Sequence, residues 1–178
     1  MNTILSVGFN NFHLLFLGAE LERYSFLKYL ITGAYPQQKR LKFINLAKYH
    51  QFRQRRENIS DMHIIQNTIL EIPWFLYGQN NLNGYIALKC LEKYQNRAAH
   101  FIKKTNIEKN SIYHFRSGYG GHSIECAISK GLTVISDHTM AHPLIDEFLV
   151  LNCGKLPSKK DLSSLKSLPK FLQTIADD

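Results

Sequence analysis

Short apolar runs alternate along this chain with longer stretches in which apolar residues recur at helical spacing. Thr3–Gly8 is an apolar run that ends in glycine, as a buried strand does, and Phe26–Thr32 has a similar strand-like pattern. Between them, Phe12–Tyr24 carries apolar residues at the spacing of an amphipathic helix, with Asn10 or Asn11 as the candidate N-cap. The beginning of the chain therefore predicts a strand–helix–strand unit.

The same alternation continues through the rest of the chain. A short strand is predicted at Lys42–Leu46, followed by mostly helical structure over residues 47–110 that includes a long amphipathic helix at Tyr85–Lys104. Two further strands are predicted at Ser111–Arg116 and Leu132–Ser136. A helix from about His122 to Lys130, which Gly131 ends, lies between them, and another helix follows Pro143. Alternation of this kind is typical of an α/β protein with a doubly wound parallel sheet and helices on both faces. The carboxyl ends of parallel strands then share one edge, where ligands bind. We predict one such domain over residues 1–155 and a polar linker or tail over residues 156–178.

Composition places the chain among ordinary globular proteins. It has 178 residues, of which 44% are apolar and 20% charged, enough for one domain with a sizeable core. No apolar run approaches the length of about 18 residues that a membrane span needs, and the first residues lack a signal-peptide pattern. The cysteines Cys90, Cys126 and Cys153 form no CxxC pair, which favours buried thiols in a reducing compartment. These features predict a cytoplasmic protein.

The net charge of +8 is unevenly distributed along the sequence. Residues 39–56 hold seven basic residues and no acid, and a second basic group runs along the predicted helix at Lys89, Lys93, Arg97, Lys103, Lys104 and Lys109. Excess positive charge attracts phosphates, nucleic acid or anionic headgroups, although such groups also occur as solvated helix faces. We predict that the first group meets an anionic membrane or a lipid-linked acceptor, which would make the protein peripheral at the inner face of the membrane. We predict no nucleic-acid partner.

The segment from Ser117 to Gly121 lies between a predicted strand and a predicted helix. Such a glycine loop lets backbone N–H groups approach an anion. Gly118-x-Gly120 begins a dinucleotide fingerprint, Ser123 takes the place of its third glycine, and Asp137 lies 19 residues after Gly118, near where a ribose-binding acid would sit. A tight strand–helix turn without a ligand is the alternative interpretation.

Asp137 and His138 follow the last predicted strand, with His142 four residues beyond His138. A carboxylate beside a histidine at the carboxyl end of a strand is where α/β enzymes place catalytic groups, and histidine serves as a general base near neutral pH. The spacing of four suits metal ligands on a helix, but the helix is predicted to begin only at Pro143 and there is no third ligand, so we predict no metal. Local hydrogen bonding and capping are the alternative for both histidines.

The loop after the first strand contains Gly8, Asn10 and His13. In a doubly wound sheet this loop lies beside the point where the strand order reverses. Asn10 or His13 therefore meets a ligand or caps the following helix, and the sequence leaves both interpretations open.

Three runs together resemble the N-terminal domain of family-4 glycosyltransferases. They are His114-Phe115-Arg116-Ser117-Gly118-Tyr119-Gly120-Gly121, then Ala127-Ile128-Ser129-Lys130-Gly131-Leu132-Thr133-Val134-Ile135, then Asp137-His138-Thr139-Met140-Ala141-His142-Pro143. The resemblance covers roughly residues 3–155. It implies one half of the GT-B architecture, in which a Rossmann-like acceptor domain faces a nucleotide-sugar domain across a cleft. It also implies transfer with retention of configuration, without a metal or a cofactor.

The resemblance implies roles for two parts of the candidate site. Asn10 and its neighbours look like the loop that faces the donor phosphates. His138 looks like the histidine that closes on the reacting sugar from the acceptor side; with Asp137 beside it, one of the two would assist removal of the acceptor proton or stabilise charge at the sugar. The substrate-binding set is Gly8, Asn10, His13, Arg116, Ser117, Gly118, Tyr119, Gly120 and His142. The paired glutamates of the donor domain do not occur, so we expect the nucleotide-sugar to be bound by a C-terminal domain or partner subunit outside this chain.

Two other functions stay open at this point. One is a nucleotide-binding oxidoreductase or epimerase with a Rossmann-like domain, which requires Gly118–Gly121 to hold a pyrophosphate. The other is a basic interaction module for a membrane or RNA, which requires the basic run at residues 39–56 to dominate binding.

Overall fold

The computed structural model describes residues 1–9, 13–35, 59–77 and 84–137. The elements in these ranges are β1 (Thr3–Gly8), α1 (Leu14–Arg23), β2 (Leu27–Thr32), a 3₁₀ turn (Asp61–His63), β3 (Ile64–Gln66), α2 (Thr68–Tyr77), α3 (Gly84–Lys104), β4 (Ile112–Arg116), α4 (His122–Ser129) and β5 (Thr133–Asp137).

The described strands form one parallel sheet in the order β3-β2-β1-β4-β5. The chain first winds outward from β1 through β2 to β3, then returns to the other side of β1 with β4 and continues to β5. The order of winding therefore reverses between β1 and β4, which is the topological switch point of a Rossmann-like sheet. This arrangement confirms the predicted fold class, an α/β domain with a doubly wound parallel sheet.

Two apolar cores lie on opposite faces of the sheet. Neighbouring residues of a strand point to opposite faces, so Leu5 packs with α1 while Ile4 packs on the side of α3 and α4. On the α3 side, the largest buried side chains include Tyr94 of α3 and Tyr113 and Phe115 of β4. The helices therefore cover both faces, as predicted, and every residue of β1 is buried.

Most predicted elements match the structure to within one or two residues, and β1 has the predicted bounds. Gly131 lies just after α4 with φ +73° and donates its amide to Ile128 O at 2.8 Å, which confirms its predicted role in ending the helix. The N-cap of α1 is His13, so the proposed cap at Asn10 or Asn11 was wrong.

One strand was not predicted. β3 lies inside the range predicted to be mostly helical, and its three residues pair only with β2 among the described strands. The predicted strand at Lys42–Leu46, the helix after Pro143, the domain boundary at 155 and the basic run at 39–56 lie outside the described residues.

The described helices include none that is long and apolar enough to cross a membrane. Cys90 is a buried free thiol and Cys126 a half-buried one, which agrees with the predicted thiol state of these two cysteines, while Cys153 lies outside the described residues.

Candidate functional site

The predicted site segments meet at the carboxyl edge of the sheet. β1 ends at Gly8, β4 at Arg116 and β5 at Asp137, and the parallel register sets Arg116 directly beside Asp137. The backbone locks this edge, because Ser117 donates its amide to Asp137 O at 3.0 Å. The prediction that these segments share one edge is thus confirmed for their described residues.

His13 and Asp137 form the most direct contact at this edge. His13 Nε2 lies 2.7 Å from Asp137 Oδ2, so the imidazole N–H donates to the carboxylate across 124 positions of sequence. The His13 side chain is 52% exposed and the Asp137 side chain 18% exposed. His13 occupies the N-cap position of α1, as one of its two interpretations expects, but within the described residues its side chain makes no capping bond and contacts Asp137 instead.

This contact gives His13 a defined orientation. A carboxylate that accepts a hydrogen bond from one ring nitrogen determines the tautomer and the direction in which the other nitrogen points. An exposed imidazole held in this way is suited to accepting a proton from a bound hydroxyl or to stabilising developing charge.

A second histidine contacts the same carboxylate. His114 Nε2 lies 3.7 Å from Asp137 Oδ2, and both side chains are about equally buried. Burial lowers the pKa of His114; the Asp137 carboxylate opposes that shift and His13 adds to it. His114 is therefore neutral at pH 7, since the ordinary pKa of histidine is already about 6.5.

His114 was not among the predicted site residues, although the sequence contained a signal for it. His114 pairs with Ile135 across the β4–β5 ladder, so it lies on the same face as Asp137, two positions along the strand. Knowing that β4 and β5 are parallel neighbours would have placed the two side chains together. Among the described residues, no group of three or more histidine, cysteine or acidic side chains has the arrangement of a metal site.

Arg116 joins the end of β4 to the loop after β1. Its Nη1 donates to Phe9 O at 3.0 Å, and its guanidinium carbon lies 5.3 Å from the centre of the Tyr119 ring. The side chain is half-buried. Arg116 and Tyr119, both predicted to bind substrate, thus have contacts within the protein that hold the switch point together.

An aromatic floor lies beneath this edge, formed by Phe9, Trp74, Tyr94 and Tyr119. The Phe9 ring centre lies 5.4 Å from Trp74, 5.2 Å from Tyr94 and 5.6 Å from Tyr119. The two tyrosine rings are 5.4 Å apart and nearly perpendicular. Edge-to-face contacts of this kind favour a fixed arrangement of the rings, which gives the site a rigid base.

Tyr94 also fixes the ends of β1 and β2. Its fully buried hydroxyl accepts from Gly8 N at 3.0 Å, donates to Ile31 O at 2.9 Å and lies 3.1 Å from Ser6 Oγ. Burial raises the pKa of the Tyr94 hydroxyl, which keeps it protonated. The sequence did not single out Tyr94, because at that position of an amphipathic helix it resembles any apolar core residue.

The glycine loop after β4 is packed against protein side chains. A Cβ at Gly120 would lie 2.5 Å from the Phe115 ring, and one at Gly121 would lie 2.6 Å from the Gln95 side-chain amide. Gln95 Nε2 also donates to Gly118 O at 3.1 Å. These glycines are needed because the loop passes close to its own core, which favours the tight-turn interpretation over a pyrophosphate cradle.

Asn10, His138 and His142 lie outside the described residues, so their predicted roles stay predictions. Compared with protein-family models, with curated proteins and with solved structures, the chain matches none.

Proposed function

We propose that this chain is the acceptor-side half of a GT-B glycosyltransferase. It transfers a sugar from a nucleotide-sugar to a polysaccharide or lipid-linked acceptor, and the nucleotide-sugar is bound by a second domain or subunit. The observation that carries the proposal is the hydrogen bond between His13 and Asp137 at the switch point of the sheet. Ligands of doubly wound folds bind at this point.

Asp137 has a positioning role in this proposal. Its carboxylate accepts a hydrogen bond from His13 and lies beside His114, so it holds the exposed imidazole of His13 at the carboxyl edge of the sheet. His13 then accepts the proton of the acceptor hydroxyl or stabilises charge on the transferring sugar. His138, the next residue after Asp137, keeps the acceptor-side role that the family resemblance implies.

The packing of the glycine loop supports this function over a dinucleotide-dependent enzyme. A dinucleotide fingerprint uses its glycines to let the pyrophosphate approach the backbone. Here the space beside Gly120 and Gly121 is taken by Phe115 and Gln95. The fingerprint also belongs to the first strand–helix turn of a domain, whereas this loop follows β4.

Calorimetry with nucleotide-sugars and nicotinamide dinucleotides distinguishes the two functions. We expect the chain by itself to bind nucleotide-sugars weakly or not at all, and to transfer sugar only when a donor-binding domain is supplied. Micromolar binding of a nucleotide-sugar to this chain alone would contradict the proposal that a second domain or subunit binds the donor. Tight binding of a nicotinamide dinucleotide would favour the oxidoreductase function instead.

A further inference from the structure

The outer face of α3 carries a row of basic side chains. α3 contains five lysine or arginine residues and a single acid, Glu92, which pairs with Lys89 at 2.6 Å. The row consists of Lys89, Lys93, Arg97, His100 and Lys104, all exposed. At 3.6 residues per turn these positions fall within an arc of about 80°, and they extend over about 22 Å of the helix.

A groove of about 400 Å³ runs along this row. The described residues that line it are Lys93, Asn96, Arg97, His100, Phe101 and Lys104. The Phe101 ring centre lies 4.9 Å from that of Tyr29. Lys93 and Lys104 also line the groove, and a lysine side chain has an aliphatic stem beneath its charged end. The groove thus combines an apolar floor with a cationic rim.

Among the described residues, few acidic side chains lie close enough to neutralise the positive charges of the row. Arg97 donates to the Asn67 side-chain oxygen at 3.4 Å, a neutral partner that positions the guanidinium without cancelling its charge. Tyr85, 72% exposed, lies at the amino end of the same face, and Lys89 Nζ is 5.9 Å from its ring. An exposed tyrosine beside basic residues is a common anchor at a membrane–water interface.

We propose that this cationic face of α3 is a docking surface for an anionic phospholipid membrane. The basic row matches phosphate headgroups, and the apolar floor beside it matches the glycerol and upper acyl region of the same molecules. The apolar floor of the groove distinguishes a lipid from a purely polar polyanion. The proposal does not depend on the glycosyltransferase function.

Vesicle co-sedimentation tests the proposal directly. We expect the chain to bind phosphatidylcholine vesicles containing about a third phosphatidylglycerol, to release in 0.5 M salt, and not to bind pure phosphatidylcholine vesicles. Each basic residue near an anionic surface increases partitioning by about fivefold, so the triple variant Lys93→Gln, Arg97→Gln, Lys104→Gln should weaken binding by roughly hundredfold.

A matched control removes the same formal charge from other parts of the domain. The control is Arg23→Gln, Lys28→Gln, Lys130→Gln, and circular dichroism verifies that both triple variants are folded. We expect the control to lose much less binding than the α3 variant. Equal losses in the two variants would overturn the proposal, because the net charge would then explain the binding. Absence of vesicle binding, or tighter binding to duplex RNA than to anionic vesicles, would also overturn it.

Discussion

Removing the Tyr94 hydroxyl should destabilise the switch point while leaving the aromatic packing unchanged. Tyr94→Phe deletes one oxygen that makes contacts of 2.9–3.1 Å with Ile31 O, Gly8 N and Ser6 Oγ, all buried. The Gly8 N–H and the Ile31 carbonyl then lose a buried partner. Each unsatisfied buried polar group costs about 1–3 kcal/mol, so the loss from the two groups should be about 2–6 kcal/mol.

Urea denaturation followed by circular dichroism measures this loss. A change of about 2–6 kcal/mol corresponds to a fall in melting temperature of roughly 4–24 °C for a chain of this size. Tyr85→Phe is the matched control, because Tyr85 lies on the same helix but is 72% exposed; its free energy of unfolding should change by less than about 0.5 kcal/mol. If Tyr94→Phe were as stable as the control, the assigned hydrogen bonds would contribute little and the reasoning would be refuted.

Two further predictions concern Gly8 and His114. Gly8 and Gly131 both have positive φ, but a Cβ at Gly8 would lie 2.5 Å from the Tyr119 ring while one at Gly131 has nothing within 4 Å. In urea denaturation, Gly8→Ala should therefore lower the free energy of unfolding by several kcal/mol and Gly131→Ala by about 1 kcal/mol. Equal losses in the two variants would show that the contact with the ring is unimportant. Because the pKa of His114 is lowered by folding, the unfolded chain binds more protons below about pH 6.5, so stability should fall as the pH decreases through that value. In denaturant titrations between pH 7 and pH 5, the free energy of unfolding of His114→Asn should fall less steeply than that of the unchanged chain. An unchanged slope would contradict the neutral state of His114 in the folded protein.

Much of the fold follows from the apolar pattern of the sequence. β1 is buried along its whole length, and so are the last three residues of β2, and such buried runs are typical of parallel strands covered on both faces. β3 gave no such signal, because a strand of three residues, Ile-Ile-Gln, is too short for either period to be visible.

The site was only partly predictable. Asp137 and His13 were each expected at the carboxyl edge from their position after a strand, but their pairing depends on how close the amino end of α1 lies to the end of β5, which a linear pattern does not contain. His114 was missed because it lies within a strand, and Tyr94 because its hydroxyl is useful only once α3 packs beneath Gly8.

The most direct test of the proposed function is a double-mutant cycle at the His13–Asp137 pair. The measurement is kcat for sugar transfer from a nucleotide-sugar, with the donor-binding domain present, for His13→Gln, Asp137→Asn and the double variant, and with circular dichroism to verify folding. We expect each single variant to lose about 10²–10⁴-fold in kcat, and the double variant to lose little more than either, because the two residues act as one unit. Near-normal kcat in both single variants, or fully additive losses, would contradict the account.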